Sequence, residues 1–161
     1  MRRRTRAREF ALQVLYQMDL TRVSAKEALE DFWSGEATPD LGIEGKETVF
    51  KDKKDPEIKK YAQILVQGVA GKQEDLDKII ERFAENWALL RMAYVDRNIL
   101  RLAAYEILYL EEIPVKVAIN EAVELAKRYG EVDSSKFVNG ILDKIAKTES
   151  PPKNAAGLSG S

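Results

Sequence analysis

Neither cysteine nor histidine occurs anywhere in this chain of 161 residues. Without cysteine there is no disulfide, no thiol chemistry and no zinc–thiolate site. Without histidine the commonest general base and the commonest metal ligand are lost together. No apolar run approaches the roughly 20 residues needed to span a bilayer. The basic N-terminus does not lead into a signal peptide either, because Glu9, Gln13 and Gln17 punctuate the helically patterned stretch behind it. No strand-type alternation appears, and no internal repeat of about 20–50 residues. A soluble, cytoplasmic, non-catalytic protein without a cofactor is the expectation. The apolar content of 45% is enough for a real core in one domain, with room for two lobes.

What is present is a lopsided charge. Arg2, Arg3, Arg4, Arg6 and Arg8 fall within the first eight residues of a chain whose net charge is −1, so everything after them carries −6. Charge concentrated in this way marks a phosphate backbone as the partner. Arginine suits the task, because its planar fork holds two phosphate oxygens and stacks on a base. A solvated, frayed terminus is the plainer reading of the same residues.

The remaining pattern is helical. Ala7, Phe10, Ala11, Val14, Leu15 and Met18 form one stripe over residues 7–19. The arginines thus begin in a flexible arm and enter the first turn of that helix. A second helix covers 24–33, with Ser24 and Glu27 in capping-box spacing. Residues 34–56 lose all periodicity and read as a mobile excursion, with Val49 and Phe50 as its apolar anchors. Helices are expected over 57–70 and 73–86, broken at Gly71, and over 93–112, whose apolar residues occupy more than one face and mark it as central. Pro114 opens a helix over 115–129 that Gly130 ends. Asp133 or Ser134 caps the last helix, striped by Phe137, Val138, Ile141, Leu142 and Ile145. Residues 148–161 read as a disordered tail. The fold class is all-α.

Three segments carry a resemblance. The first is Arg2-Arg3-Arg4-Thr5-Arg6-Ala7-Arg8-Glu9, continued by Ala11-Leu12-Gln13-Val14-Leu15-Tyr16. The second is Val95-Asp96-Arg97-Asn98-Ile99-Leu100-Arg101-Leu102 with Tyr105-Glu106-Ile107. The third, and most specific, runs from Val117-Ala118-Ile119-Asn120-Glu121-Ala122 to Lys127 and resumes at Lys136-Phe137-Val138-Asn139-Gly140-Ile141-Leu142-Asp143-Lys144. In these segments the chain resembles the NusB family of bacterial transcription antitermination factors.

The resemblance implies a helical bundle of seven helices in two small lobes, over residues 1–147. It implies binding to the single-stranded boxA element of ribosomal RNA operon transcripts, together with ribosomal protein NusE. Other Nus factors and RNA polymerase would be met indirectly. Some family members dimerise and mask their RNA face, and the helix pattern leaves monomer and homodimer open.

By the same resemblance, Arg2, Arg3, Arg4, Arg6, Arg8, Tyr16, Lys136 and Phe137 form the RNA face. Unpaired RNA needs cations for its phosphates and flat rings for its bases. Phe137 also fits the core stripe, and Tyr16 fits either environment. Asp133 is a helix cap beside that face, where its carboxylate would repel phosphate and restrain affinity. Asp96 and Glu106, with Glu111 and Glu112, would form an acidic patch for basic NusE; a solvated helix face is the plainer alternative. Asn120 reads as a buried hydrogen-bonding residue, and Glu121 and Glu124 carry no metal without a second such motif.

The chain departs from the family pattern at residues 34–56, at Met92-Ala93-Tyr94, where many members carry glycine, and at Ser135, where some have histidine. Some RNA methyltransferases carry a similar domain ahead of a catalytic one, for which residues beyond the last helix leave no room. The remaining alternative is a helical protein–protein adaptor without specific RNA binding.

Overall fold

The computed structural model describes residues 2–35, 46–85 and 89–149, and within those ranges the side chains of Arg2, Lys46, Glu47 and Leu90 are left aside. Seven α-helices appear among the described residues, with no strand: α1 Arg2–Thr21, α2 Ala25–Ser34, α3 Lys46–Lys53, α4 Pro56–Phe83, α5 Tyr94–Tyr109, α6 Val115–Tyr129 and α7 Ser134–Glu149. A 3₁₀ turn, Leu89–Arg91, precedes α5. Among the described residues no helix is long and apolar enough to cross a membrane. The chain divides into two compact units, Met1–Gly71 and Lys72–Ser161, and α4 contributes to both.

In the first unit the stripe of α1 is buried as its spacing requires: Phe10, Ala11, Val14 and Leu15 are each at most 2% exposed. Phe32 of α2 meets Phe10 edge-on, with centroids 5.2 Å apart, and Trp33 lies 4.9 Å from Phe32. Such T-shaped pairs place a positive ring edge on a negative face. The Ser24 side chain caps α2 by accepting the Glu27 N–H at 3.2 Å. Gly35 ends the helix at φ 85, a left-handed conformation that glycine adopts without a Cβ clash.

The aperiodic stretch 34–56 holds a helix, α3, which hydrophobic patterning could not reveal because its anchors are charged. Asp52 Oδ2 accepts from Arg6 Nε at 2.7 Å. Lys53 Nζ donates to the Phe32 carbonyl at 2.9 Å and lies 4.0 Å from the Phe32 ring centroid. The expected anchors behave otherwise: Val49 is half-buried and Phe50 is 54% exposed. The part of the excursion at residues 36–45 lies outside the described residues, as do positions 150–161 of the expected tail; Thr148 and Glu149 belong to α7.

The expected break at Gly71 does not occur, and α4 runs unbroken from Pro56 to Phe83. Glycine weakens a helix by roughly 1 kcal/mol relative to alanine, which a 28-residue helix with a buried face absorbs. Asp55 starts this helix, its Oδ1 accepting the Glu57 N–H at 2.9 Å.

In the second unit α5 is surrounded, as its many-sided apolar pattern requires. Ile99, Leu100, Ala103, Ala104 and Ile107 have no exposed surface. Helices α6 and α7 pack on it and on each other through Ala118, Ala122 and Leu125, and through Val138, Ile141, Leu142 and Ile145. Arg101, 4% exposed, reaches back to α4 with a two-pronged bridge to Asp77 at 2.7 and 3.0 Å, and donates to Asn98 at 3.1 Å. Asn120 is exposed rather than buried, because the inward face of α6 belongs to the alanines two residues to either side.

The turn from α6 into α7 is tight. A Cβ on Gly130 would sit 2.6 Å from Ser134 and 2.8 Å from the Ala126 carbonyl oxygen. Gly130→Ala should therefore cost about 1–3 kcal/mol through overpacking. Gly71→Ala, which meets nothing within 4 Å, should stabilise by up to ~1 kcal/mol. Urea denaturation of both variants checks this pair, and midpoints moving in the same direction would contradict it.

Candidate RNA interface

Residues expected to share one RNA face fall in different units, those on α1 in the first and those on α7 in the second. On α1 the arginines are helical from Arg2 onward rather than a flexible arm. Successive residues turn by about 100°, so the arginines cannot all face one way. Arg3 is exposed, and bridges Asp55 at 3.2 Å and Glu57 at 2.9 Å. Arg4 is half-buried with its guanidinium 4.3 Å from the Tyr61 ring centroid, a cation–π contact.

Arg6 and Arg8 depart from the expected phosphate-facing arm. Arg6 is 7% exposed, held by Asp52 at 2.7 Å and Glu9 at 3.0 Å. Arg8 is 2% exposed and lies 5.7 Å from the Tyr61 centroid. Four-residue spacing explains why Arg4 and Arg8 meet the same ring. Moving either buried arginine to a phosphate would strip it of its present surroundings, so their first role here is to hold α1 in place. Tyr16 is half-buried further along α1.

The start of α7 is arranged as expected in part. Asp133 is exposed and its carbonyl accepts the Phe137 N–H at 3.1 Å, which places it at the N-cap position. Ser134 is buried, with its Oγ accepting the Glu131 N–H at 2.8 Å. Lys136 is exposed and Phe137 is half-buried. Phe137 forms part of two cavities. One, of about 460 Å³, is also lined by Met92, Asp96, Glu131 and Asp133. The other, of about 290 Å³, is lined by Phe83, Lys136, Gly140 and Lys144.

The expected acidic patch breaks up. Glu106 has no exposed surface, so it meets no partner without unpacking α5. Asp96 lies in the first turn of α5 and Glu111 beyond its end, so the length of that helix separates them and they form no contiguous patch. Asp96 remains half-buried at the larger cavity, with Oδ1 lacking a hydrogen-bond partner among the described residues. Burial pushes its carboxyl above the ordinary 3.8; the charge of Glu131 adds to this, and the Ser134 hydroxyl opposes it.

Several contributors escaped the sequence reading: Asp52, Asp55 and Glu57, which hold the arginines, Tyr61, whose ring meets Arg4 and Arg8, and Phe83 and Lys144. None bears a local signature, because each acquires its role from a residue distant in the chain.

The fold defines the class first: a small all-α protein of two helical units, with cations and aromatic rings gathered at helix ends. The NusB family model matches residues 5–147, and the chain belongs to the NusB family. It is 44% identical over 150 residues to the transcription antitermination protein NusB of Myxococcus xanthus (strain DK1622), covering 93% of this chain and 98% of that one. The solved T. maritima NusB superposes with a TM-score of 0.78 at 37% identity, covering 94% of this chain and 96% of that one. A chain from the crystal structure of antitermination factors NusB and NusE in complex with dsRNA gives a TM-score of 0.72 at 31% identity, covering 91% and 98%.

The raised Asp96 pKa has a stability consequence. The folded state holds this proton more tightly than the unfolded chain, so stability falls as pH rises from about 3.8 through the raised value, and the penalty persists above it. Asp96→Asn should raise the melting temperature at pH 7, and the gain should vanish below pH 3.8. Thermal melts at neutral and acid pH check the sign; a lower melting temperature for the variant at pH 7 would refute it.

Proposed function

We propose that this protein is a transcription antitermination factor, an adaptor that binds boxA RNA of ribosomal RNA transcripts together with ribosomal protein NusE. The observation that carries this is family membership across residues 5–147, joined to a 31%-identical solved relative in complex with NusE and RNA. In this reading the protein works in the cytoplasm beside RNA polymerase and other Nus factors, and it catalyses nothing.

The arrangement of charge supports RNA as the ligand. The bridges of Arg3 to Asp55 and Glu57 involve side chains of which Arg3 and Glu57 are well exposed, 60% and 73%. Exposed pairs contribute little, so a phosphate displaces the carboxylates at small cost. Arg3, Arg4 and Lys136 are then the available cations, with Arg2 preceding them. Tyr16 and Phe137 supply rings for unpaired bases. NusE, a basic partner, meets the half-buried carboxylate of Asp96, while Glu106 acts inside α5. The working part runs through the end of α7 at Glu149.

Two measurements test this. Replacing Arg3 and Arg4 together with alanine should weaken boxA RNA binding and make the slope of log K against log salt shallower by about 1.4, at roughly 0.7 per phosphate on single strands. An unchanged slope removes α1 from the interface. Asp96→Lys should weaken NusE binding while RNA binding by the isolated chain persists. NusE should also tighten RNA binding by the same factor as RNA tightens NusE binding. Calorimetric titrations that find the two ligands independent would overturn the adaptor reading.

A further inference from the structure

Helix α3 is charged where it is buried and aromatic where it is exposed. Val49, Asp52 and Lys53, three and four residues apart, form its inward face. Val49 is half-buried, while Asp52 and Lys53 are 4% and 8% exposed. Phe50 falls outside that face and is 54% exposed. A single exposed apolar side chain is ordinary on a protein surface. Here, however, the same short helix buries an aspartate and a lysine and leaves out the side chain that burial would favour most.

Lys51 and Lys54 complete the outer arc. Lys54 follows Phe50 by four residues and Lys51 by three. Its N–H donates to the Lys51 carbonyl at 3.1 Å, so the turn continues past the helix end. Both lysines are exposed, and neither has an ion pair among the described residues. The carboxylates beside them in the chain are committed elsewhere, Asp52 to Arg6 at 2.7 Å and Asp55 to Arg3 at 3.2 Å. The arc is thus an open ring beside two free cations.

It also adjoins the arginines, within the same unit. Asp55, the residue after Lys54, holds Arg3, so the lysines begin where the RNA contact on α1 leaves off. A strand bound at Arg3 has only to continue to meet them. A carboxylate-rich peptide answers the lysines alone. An unpaired nucleotide chain answers the lysines with phosphate and the flat ring with a base.

We propose that the outer arc of α3 is an accessory RNA surface that takes single-stranded RNA flanking boxA, with Lys51 and Lys54 on phosphates and Phe50 stacked on a base. Because the flank is tethered to an element already bound, even weak contacts there raise affinity. This rests on the RNA-binding reading above and adds to it a contact outside boxA.

The test uses the full chain and two fluorescein-labelled single-stranded RNAs read by anisotropy. One is boxA alone; the other is boxA extended at both ends by about ten nucleotides, within the span that unpaired strands occupy on such surfaces. Wild type should bind the extended RNA about tenfold more tightly. Phe50→Leu keeps an apolar side chain but loses the flat ring, and should remove about fivefold or more of that gain while leaving boxA alone unchanged. Lys51→Gln with Lys54→Gln should lower the salt slope by about 1.4 for the extended RNA only, at roughly 0.7 per phosphate. Exposed substitutions of this kind should leave the melting temperature within about a degree or two. A variant that melts earlier is still read by the ratio of its two affinities, which unfolding lowers alike. Equal wild-type affinities for the two RNAs, or variants that weaken both alike, would overturn the α3 surface and leave the boxA reading standing. No binding of either RNA by wild type overturns both. Variants that lose a poly-glutamate peptide while holding the extended RNA as wild type does would assign the arc to an acidic protein and overturn the proposal.

Discussion

A guanidinium taken out of water must find acceptors or a π-face, and four arginines of this chain live under that constraint. Arg6, Arg8, Arg97 and Arg101 are at most 7% exposed. Arg6 has Asp52 and Glu9, Arg8 has the Tyr61 ring, Arg97 lies 4.3 Å from the Tyr94 centroid, and Arg101 has Asp77 and Asn98. Removing one member of such a set strands a buried charge, which is why these contacts specify helix placement even where their net contribution to stability is modest. The Arg6–Asp52 contact, with Lys53 on Phe32, gives α3 its place, since α3 offers almost no apolar face. The Arg101–Asp77 fork ties the last turns of α4 to α5 within the second unit.

The same constraint sorts the N-terminal charge into two populations. Structural arginines are buried with matched partners; recruitable ones, Arg3 and Arg4, keep solvent access and have partners that are easily exchanged. In the proposed reading, exposed carboxylates such as Glu57 stand in for phosphate. They keep the cations from repelling one another in the free protein, and solvent screening makes them cheap to displace.

Phe137 divides two electrostatic environments that sequence spacing had merged. Asp133 and Lys136 are three residues apart, and one lines the acidic cavity while the other lines the basic one. A half-buried ring between opposite charges can serve the core and a ligand together, so the choice between core and base contact was not exclusive.

Much of this was legible in the residues. Apolar periodicity located α5, α7 and the body of α1 to within a few positions, because burial of one face is a local, repeating demand on the chain; the Ser24–Glu27 capping pattern and the Pro114 and Gly130 stops located α2 and α6. The three motifs carried the family, and the absence of histidine and cysteine narrowed the chemistry. The expectation of seven helices held for a partly different reason: Gly71 did not split α4, and α3 supplied the seventh. What only the tertiary structure decided was the fate of charge. Periodicity tells which residues share a helix face, but not whether that face meets solvent, an aromatic ring or a carboxylate 46 positions away, as Arg6 meets Asp52. Glu106 and Asn120 exchanged their expected environments for this reason: inside and outside are set by which helices pack against α5 and α6, and a single polar residue carries no periodic mark of its neighbours.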